Sequence, residues 1–567
     1  MTVDPERPIT LDSVLASRAH SEPNQRFLLR PERDSIDTDA QPITYGIFDG
    51  HVSRLARKWT LDEQASVIRP RAVVGVFFPS GYTLAAVMFA LLRLGAVPFC
   101  ISIRNSDEAV RHLVKVGNVS AIVAAKENGL YERIWTTLQC SGDSGIPIFA
   151  VEKNELQDPP SDVEKAENPF PSLPFGTISG DDTAIMQHTS GSTAFPKPVP
   201  LSNRLLLRSL QGGTWWVDNL HTRGDVAVGQ PPIFHMFGLI GGLLNALYRG
   251  HTFAIPPLPA DDNNGLFPGA QTLRKYALRV GATEFFGVSS SVVGLARSEG
   301  GIDLLKTLKR VLVAGAPMPR ENGDWIVNQG VHLVEGVGST EGGSLLHSNR
   351  PRGDPNWQAM RVCWNVDHHF EPFGHPSSGV YELILHSSEL SGKFPGSDPE
   401  TGHLSTHDLF QEYPEPGSNT WRHCGRSDDV LLLSSGQNWN PRPMELQIEA
   451  SPIIQHAVIF GHARPFLGVL IAPRVSGSFV ELDNGLREQI WSAVQVANAV
   501  APRNARIART CVIVLTPKGV VPLDDSPSTE EQQVVKTIPL ADKGTPLRPK
   551  TYALFKEEID RVYDGVF

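Results

Sequence analysis

Apolar residues in this chain gather into short β-branched blocks separated by stretches with helical spacing. Arg71–Gly81, RAVVGVFFPSG, reads as a buried strand ending in a turn, and YTLAAVMFALLRLGAV then has the spacing of a buried helix that stops at Gly95. Val97–Ser102 is the next strand, Ser106–Gly117 the next helix and Ser120–Ala125 another strand. Strands alternating with helices predict a parallel sheet with helical crossovers. The acidic, Pro-rich run from Gln157 to Pro174 reads as a surface linker. After Asp181 the alternation resumes in TAIMQHTSGST, HTFAIPP, TEFFGVSS, LKRVLVAGAP and HLVEGVGSTE. From about Val362 the pattern shifts to hairpin-like strands in HHFEPFG, GVYELILHS and TWRHCGR, which predicts a smaller β-rich subdomain. A final α+β segment follows, with strands HAVIFG and GVLIAP and the helical LREQIWSAVQVANAV, so the main boundary falls near Gly425–Asp429.

Composition narrows the function. The 567 residues suit three or four packed units. With 51 basic against 61 acidic residues the formal charge is −10, which argues against a general nucleic-acid binder. Five scattered cysteines form neither a disulfide framework nor metal-ligand pairs, and favour a reducing compartment. The greasiest stretches, Ala85–Val97 and Phe237–Leu247, are broken by Arg or Gly and fall short of a membrane span. No export signal is visible at the N-terminus. A cytoplasmic protein without membrane or nucleic-acid partners is expected.

The most informative stretch is HTSGSTAFPKP, His188–Pro198, which follows a buried strand with hydroxyls, a glycine and a lysine. Backbone N–H groups, hydroxyls and an ammonium so placed can hold phosphate oxygens. The Walker pattern does not fit it. By itself such a run is more often an ordinary polar turn; its company decides otherwise.

TSGSTAFPKP resembles the phosphate loop of adenylate-forming enzymes, a superfamily of acyl-CoA and aryl-CoA ligases, luciferases and peptide-synthetase adenylation domains. The resemblance gives Thr189, Ser190, Gly191, Ser192, Thr193 and Lys197 to the nucleotide phosphates, with Ala194 standing where the family usually has glycine. Further matches follow in the family's order. Gly338–Glu341 resembles G-[ST]-T-E, which implies Thr340 at the α-phosphate, Ser339 among the nucleotide-binding residues and Glu341 on Mg²⁺, with Val337 in the place of an adenine-stacking aromatic. Ser405–Asp408 resembles the motif whose Asp takes the ribose hydroxyls, and Gly425–Asp429 resembles G-R-x-D-D, with Arg426 on ribose or phosphate and Asp428 as the pivot. Ala314–Pro317 resembles the turn along adenine, which includes Gly315 and Ala316. Pro232–Gly238 looks like P-x-x-H-x-x-G, so that Phe234, His235, Phe286, Gly287 and Val288 are candidate acid-pocket residues. For the catalytic lysine the candidates are Lys543 first and Lys550 second.

The resemblance implies an α/β fold: a large domain over residues 1–424 with two βαβ-type subdomains and a small β-barrel-like one, a hinge at 425–429, and a smaller mobile α+β domain over 430–567. The chain is most similar to the adenylation domain of fungal peptide-synthetase-like carboxylic acid reductases, through its K-G-T-x-x-R order, its start PITLDSVL and its ending ALFKEEIDRVYD. That implies ATP and Mg²⁺, an acyl-adenylate, and transfer to phosphopantetheine on a carrier domain upstream of a reductase. An aryl or other non-amino acid is expected, because Gly238–Leu244 lacks the Asp that amino-acid-activating relatives carry near this point. A freestanding acyl- or aryl-CoA ligase and a catalytically silent nucleotide-binding scaffold stay open as alternatives.

Overall fold

Two large sheets organise the first two thirds of the chain. The structure, a computed structural model, describes residues 10–31, 39–139, 145–156, 177–189, 196–212, 223–257, 268–374, 379–434, 438–474, 482–501, 505–516, 519–523, 536–541 and 544–564. The six-stranded sheet runs, edge to edge, Ile148–Val151, Ala121–Ala125, Val73–Phe77, Val97–Cys100, Thr183–His188 and Pro198–Ser202. All neighbours are parallel except the last pair. Its inner strands are continuous apolar runs because helices cover both faces of a parallel sheet. The helix Asp107–Val116 starts where Ser106 Oγ accepts from Ala109 N, with Asp107 and Glu108 in the first turn.

The helix Tyr82–Arg93 is buried nearly all round, as its unbroken apolar run predicts. It ends in a buried charge. Arg93, 1% exposed, is satisfied by Asp12 at 2.9 Å, Asp49 at 2.6 Å and Ser53 Oγ at 2.8 Å, which ties together three helices. A buried guanidinium is tolerated only with such partners.

The nine-stranded sheet is less local. Its order is Arg361–Val362, Gly343–His347, Leu333–Ser339, Arg310–Val313, Glu284–Gly287, Val226–Gly229, Thr252–Ala254, Arg26–Pro31 and Ala40–Thr44. The N-terminal hairpin therefore closes one edge, beside a strand 226 positions away at Arg26 and Thr252. The expected β-rich unit is a four-stranded antiparallel sheet over His368–Pro372, Val380–His386, His403–Glu412 and Trp421–Arg426. A smaller C-terminal sheet of Ile454–Phe460, Gly468–Pro473, Val512–Thr516 and Gly519–Pro522 packs on the helix Asn484–Val500. Among the described residues no helix is long and apolar enough to cross a membrane.

One helix departs from α winding. After Met236–Gly238 the chain takes a π-helical course over Leu239–Leu244 and returns to α over Asn245–Arg249. Gly238 is obligatory at the entry, since a Cβ there would lie 2.1 Å from Pro232 O.

Candidate active site

Cross-strand register lays out one wall of a cavity of about 690 Å³. On one face of the nine-stranded sheet Ala227, Glu284 and Arg310 form a first row. Gly229, Phe286, Leu312 and Val334 form the second, and Ala314 beside Gly336 the third. The cavity thus has a polar end, an aromatic middle and a small-residue end. The strands are parallel, so the small-residue end lies at their C-termini, where open α/β sheets hold ligands. Gly315, at φ +82°, makes the turn there that no β-branched residue would take without strain.

The phosphate-loop candidates enter at a zipped stem. Thr189 N donates to Lys197 O at 3.0 Å and Lys197 N to Thr189 Oγ1 at 3.1 Å, and both residues line the cavity. His188 braces the stem: its Nδ1 donates to Thr189 O at 3.0 Å and its Nε2 accepts from Ser102 N at 3.1 Å, which fixes the neutral tautomer. Ser190, Gly191, Ser192, Thr193 and Ala194 lie outside the described residues, as does Lys543.

Thr340 and Glu341 sit at the tip of a tight hairpin between Leu333–Ser339 and Gly343–His347. Its glycines are steric requirements. A Cβ on Gly338 would meet Gly343 O at 2.4 Å, and one on Gly343, at φ +68°, would meet Ser209 Oγ at 2.1 Å. Ser339 Oγ accepts from Gly342 N at 2.8 Å, and Val337, Ser339, Thr340 and Glu341 all line the cavity. Among the described residues no lysine or arginine pairs with Glu341. An unclaimed carboxylate beside a phosphate-loop stem fits Mg²⁺, which takes one or two carboxylates and completes its shell with phosphate oxygens and water. No group of three side chains among the described residues could hold a metal unaided, in keeping with that mode.

Asp408 is 8% exposed and faces His423 Nε2 at 3.2 Å and Arg426 Nη1 at 3.4 Å. Arg426 also forks onto Asp428 at 2.8 and 2.9 Å. Burial works against its charge, but the Asp428 bonds and the Asp408 and Asp428 charges outweigh that and hold its pKa above the usual value. Asp408, Arg426 and Asp428 all face the cavity.

On the acid side Phe234, His235 and Phe286 line the cavity, with His235 Nδ1 accepting from Phe237 N at 3.3 Å as a helix cap. Gly287 and Val288 do not line it. Strand alternation turns Gly287 away from Phe286, and Val288, 5% exposed, stands behind Gly315. Gly315 and Ala316 are on the wall as expected. Lys550 is exposed and off the cavity, on the outer side of the helix Arg548–Leu554. Its neighbour Arg548 is the residue that turns inward, to Asp429 at 3.2 Å and Glu445 at 2.8 Å. Sequence reasoning also missed Asn245, Arg249, the Glu284–Arg310 pair and Glu335, all of them cavity residues. Asn245 and Arg249 were signalled by two polar residues four apart in an otherwise apolar helix. The others had no local sign.

The AMP-binding enzyme family model matches residues 15–368, and the model of the AMP-binding enzyme C-terminal domain matches residues 428–566. The chain belongs to the AMP-binding enzyme family. It is an adenylate-forming enzyme. Adenylate-forming reductase Nps11 of Serpula lacrymans is 26% identical over 85% of this chain and 43% of its own length. A carboxylic acid reductase of Neurospora crassa is 25% identical over 98% of this chain and 51% of its own length. The chain thus spans about half the length of these curated relatives. An anthranilate CoA ligase solved with anthranoyl-AMP shares the fold at a TM-score of 0.74, with 16% identity and 98% of each chain covered. The o-succinylbenzoate CoA synthetase of Bacillus subtilis, solved with ATP and magnesium, does so at 0.70, with 14% identity over 95% of this chain and 98% of that one.

Proposed function

We propose that this AMP-binding enzyme activates an aryl or other non-amino carboxylic acid as its acyl-adenylate and passes the acyl group to the phosphopantetheine thiol of a carrier domain, as the first step of carboxylate reduction. One observation carries the reading. Lys197, Thr340, Glu341, Asp408 and Arg426 come from separate stretches and line one cavity whose continuation is walled by Phe234 and Phe286.

Two anions must meet, so positioning and charge neutralisation dominate. A carboxylate oxygen attacks the α-phosphorus, and the bond to the bridging oxygen of the leaving pyrophosphate breaks as the new O–P bond forms. Lys197 opposes the charge on the leaving phosphates, Thr340 donates to an α-phosphate oxygen, and Asp408 accepts from the ribose hydroxyls beside Arg426. Glu341 would hold Mg²⁺, which when bound offsets charge on the phosphate oxygens. Lys543 keeps the role of catalytic lysine in this reading. In the second half-reaction the thiol sulfur bonds the acyl carbon and AMP leaves, after residues 430–567 turn about a hinge at 425–429 against the large domain of 1–424.

A non-amino acid is supported by the acid side of the cavity, where Glu284 is already held by two 2.8 Å bonds from Arg310. Names of the relatives support the reductase context, with carrier and reductase domains as partners in the full-length enzyme. The free thiols of Cys100, Cys363, Cys424 and Cys511 suit a reducing cytoplasm.

Acid-dependent exchange of pyrophosphate into ATP tests the first half-reaction. Acyl transfer to a phosphopantetheinylated carrier, compared with free coenzyme A, tests the second. Equal or better use of free coenzyme A would select the freestanding ligase, and ATP binding without exchange on any acid would select the silent scaffold.

A further inference from the structure

The polar end of the cavity is unlike the rest of its wall. Arg310 and Glu284 are register partners joined by two 2.8 Å bonds, so the pair is close to neutral. Arg249 adds a charge that this pair does not cancel. Its Nε donates to Asn245 Oδ1 at 2.6 Å and its Nη2 to Leu210 O, while Nη1 has no partner and no carboxylate pairs with the guanidinium among the described residues. Burial, and then the nearby Arg310 charge, outweigh the opposing pull of Tyr248 and Glu284 and push its pKa down to about 10, so it stays cationic but under electrostatic load. An anion or an oxygen acceptor placed there would relieve that load.

The route to this end is kept open by glycines. Gly229 lets the Phe286 ring lie flat on the sheet, since a Cβ would come 1.9 Å from Phe286 Cζ. Gly241 faces the junction of the Phe237 and Phe286 rings, where a Cβ would touch both at 3.4 and 3.5 Å. Further along the same helix Asn245 and Arg249 line the cavity. Arg310 and Ala314 are four residues apart on one extended segment, or about 13 Å, which is longer than an unsubstituted ring requires.

We infer that the acid-binding end takes an aryl acid bearing a second oxygen function, a ring hydroxyl or a second carboxylate, which Arg249 and Asn245 receive at the end away from the nucleotide. The inference rests on the adenylation reading and names the substrate class of that site. The ring lies against the touching pair Phe237 and Phe286, and the carboxylate to be activated points toward Ala314 and Gly315.

The test is acid-dependent pyrophosphate release by the full chain with three matched probes: benzoate, the hydroxybenzoates and the benzenedicarboxylates. A site built around a hydrogen-bonding group rejects analogues that lack it, so kcat/KM for at least one oxygen-bearing probe should exceed that for benzoate by about 100-fold or more. The hydroxy and dicarboxylate arms identify which oxygen is read. In Arg249→Met that ratio should fall by about the same factor, while Arg249→Lys keeps part of it; ATP affinity and melting temperature report on folding. Benzoate as good as every substituted probe, or an unchanged ratio in both folded variants, would overturn the inference. ATP binding with no pyrophosphate release on any carboxylic acid would instead remove the adenylation reading beneath it.

Discussion

Arg426 grips Asp428 through Nε at 2.8 Å and Nη2 at 2.9 Å, and touches Asp408 with Nη1 alone at 3.4 Å. The proposed ribose-binding residue and the proposed pivot are thus coupled through one guanidinium. While these bonds hold, a turn at Asp428 carries Arg426 and its contact with Asp408 along with it.

Asp428→Ala should therefore separate the two half-reactions. The pair is partly solvated, at 40% and 46% side-chain exposure, so its loss should cost no more than about 1 kcal/mol of stability. Acyl transfer to the carrier should slow much more than pyrophosphate release, as measured by single-turnover assays of each step. Equal slowing of both would remove the pivot role.

Arg548→Met should destabilise the C-terminal part. Arg548 joins Asp429, Glu445 and Ile459 O, and Glu445 is 1% exposed. Leaving a buried charge unpaired typically costs about 3–5 kcal/mol, and because Glu445 keeps Arg442 at 3.3 Å and the Ile459 N–H, the loss should fall toward the lower end of that range. Calorimetry should show an early transition for this part, whereas Lys550→Met, on the exposed face, should leave the melting curve nearly unchanged.

Glu335 supplies a pH dependence with a definite sign. Burial pushes its carboxyl up from 4.5 to about 7, against the pull of His423 and the Met318 N–H. Between those values the folded chain binds more protons than the unfolded chain, so this group lowers stability as pH rises from about 4.5 to 7 and adds no slope above that. The swing is on the order of 3 kcal/mol. Glu335→Gln should lack it, and denaturant curves at pH 5 and pH 8 would show the difference; parallel behaviour of the two proteins would refute the assignment.

Gly229→Ala should act on the acid and not on ATP. The new methyl must displace a Phe286 ring already packed against Phe237 and Phe253 at 5.6 and 5.9 Å. Overpacking of this kind costs about 1–3 kcal/mol. The KM for the acid should rise while the KM for ATP holds, which steady-state kinetics with each substrate varied would reveal.

Buried strands such as Val73–Phe77 and Ala121–Ala125 were legible because an apolar run bounded by turns has few other uses. Thr340, Asp408 and Arg426 were legible because short motifs keep their order along the chain. The hairpin Arg26–Pro31 with Ala40–Thr44 was not, since its neighbour Thr252–Ala254 is remote and leaves no mark on local pattern. Arg548 escaped for the same reason: its burial depends on Asp429 and Glu445, 119 and 103 positions away. Lys550 was the second candidate because it is a lysine near the end of the chain, but helix phase sends that side chain to solvent.

The wide coil at Leu239–Leu244 has a consequence for how this protein can diverge. A π turn holds one residue more than the α turn it replaces and leaves the flanking helix nearly in phase. Losing one codon between Ile240 and Leu244 would restore the ordinary pitch and keep Asn245 and Arg249 on the wall, while the side chains ahead of them shift. A lineage could in this way reshape the middle of the cavity through a length change, without disturbing its polar end.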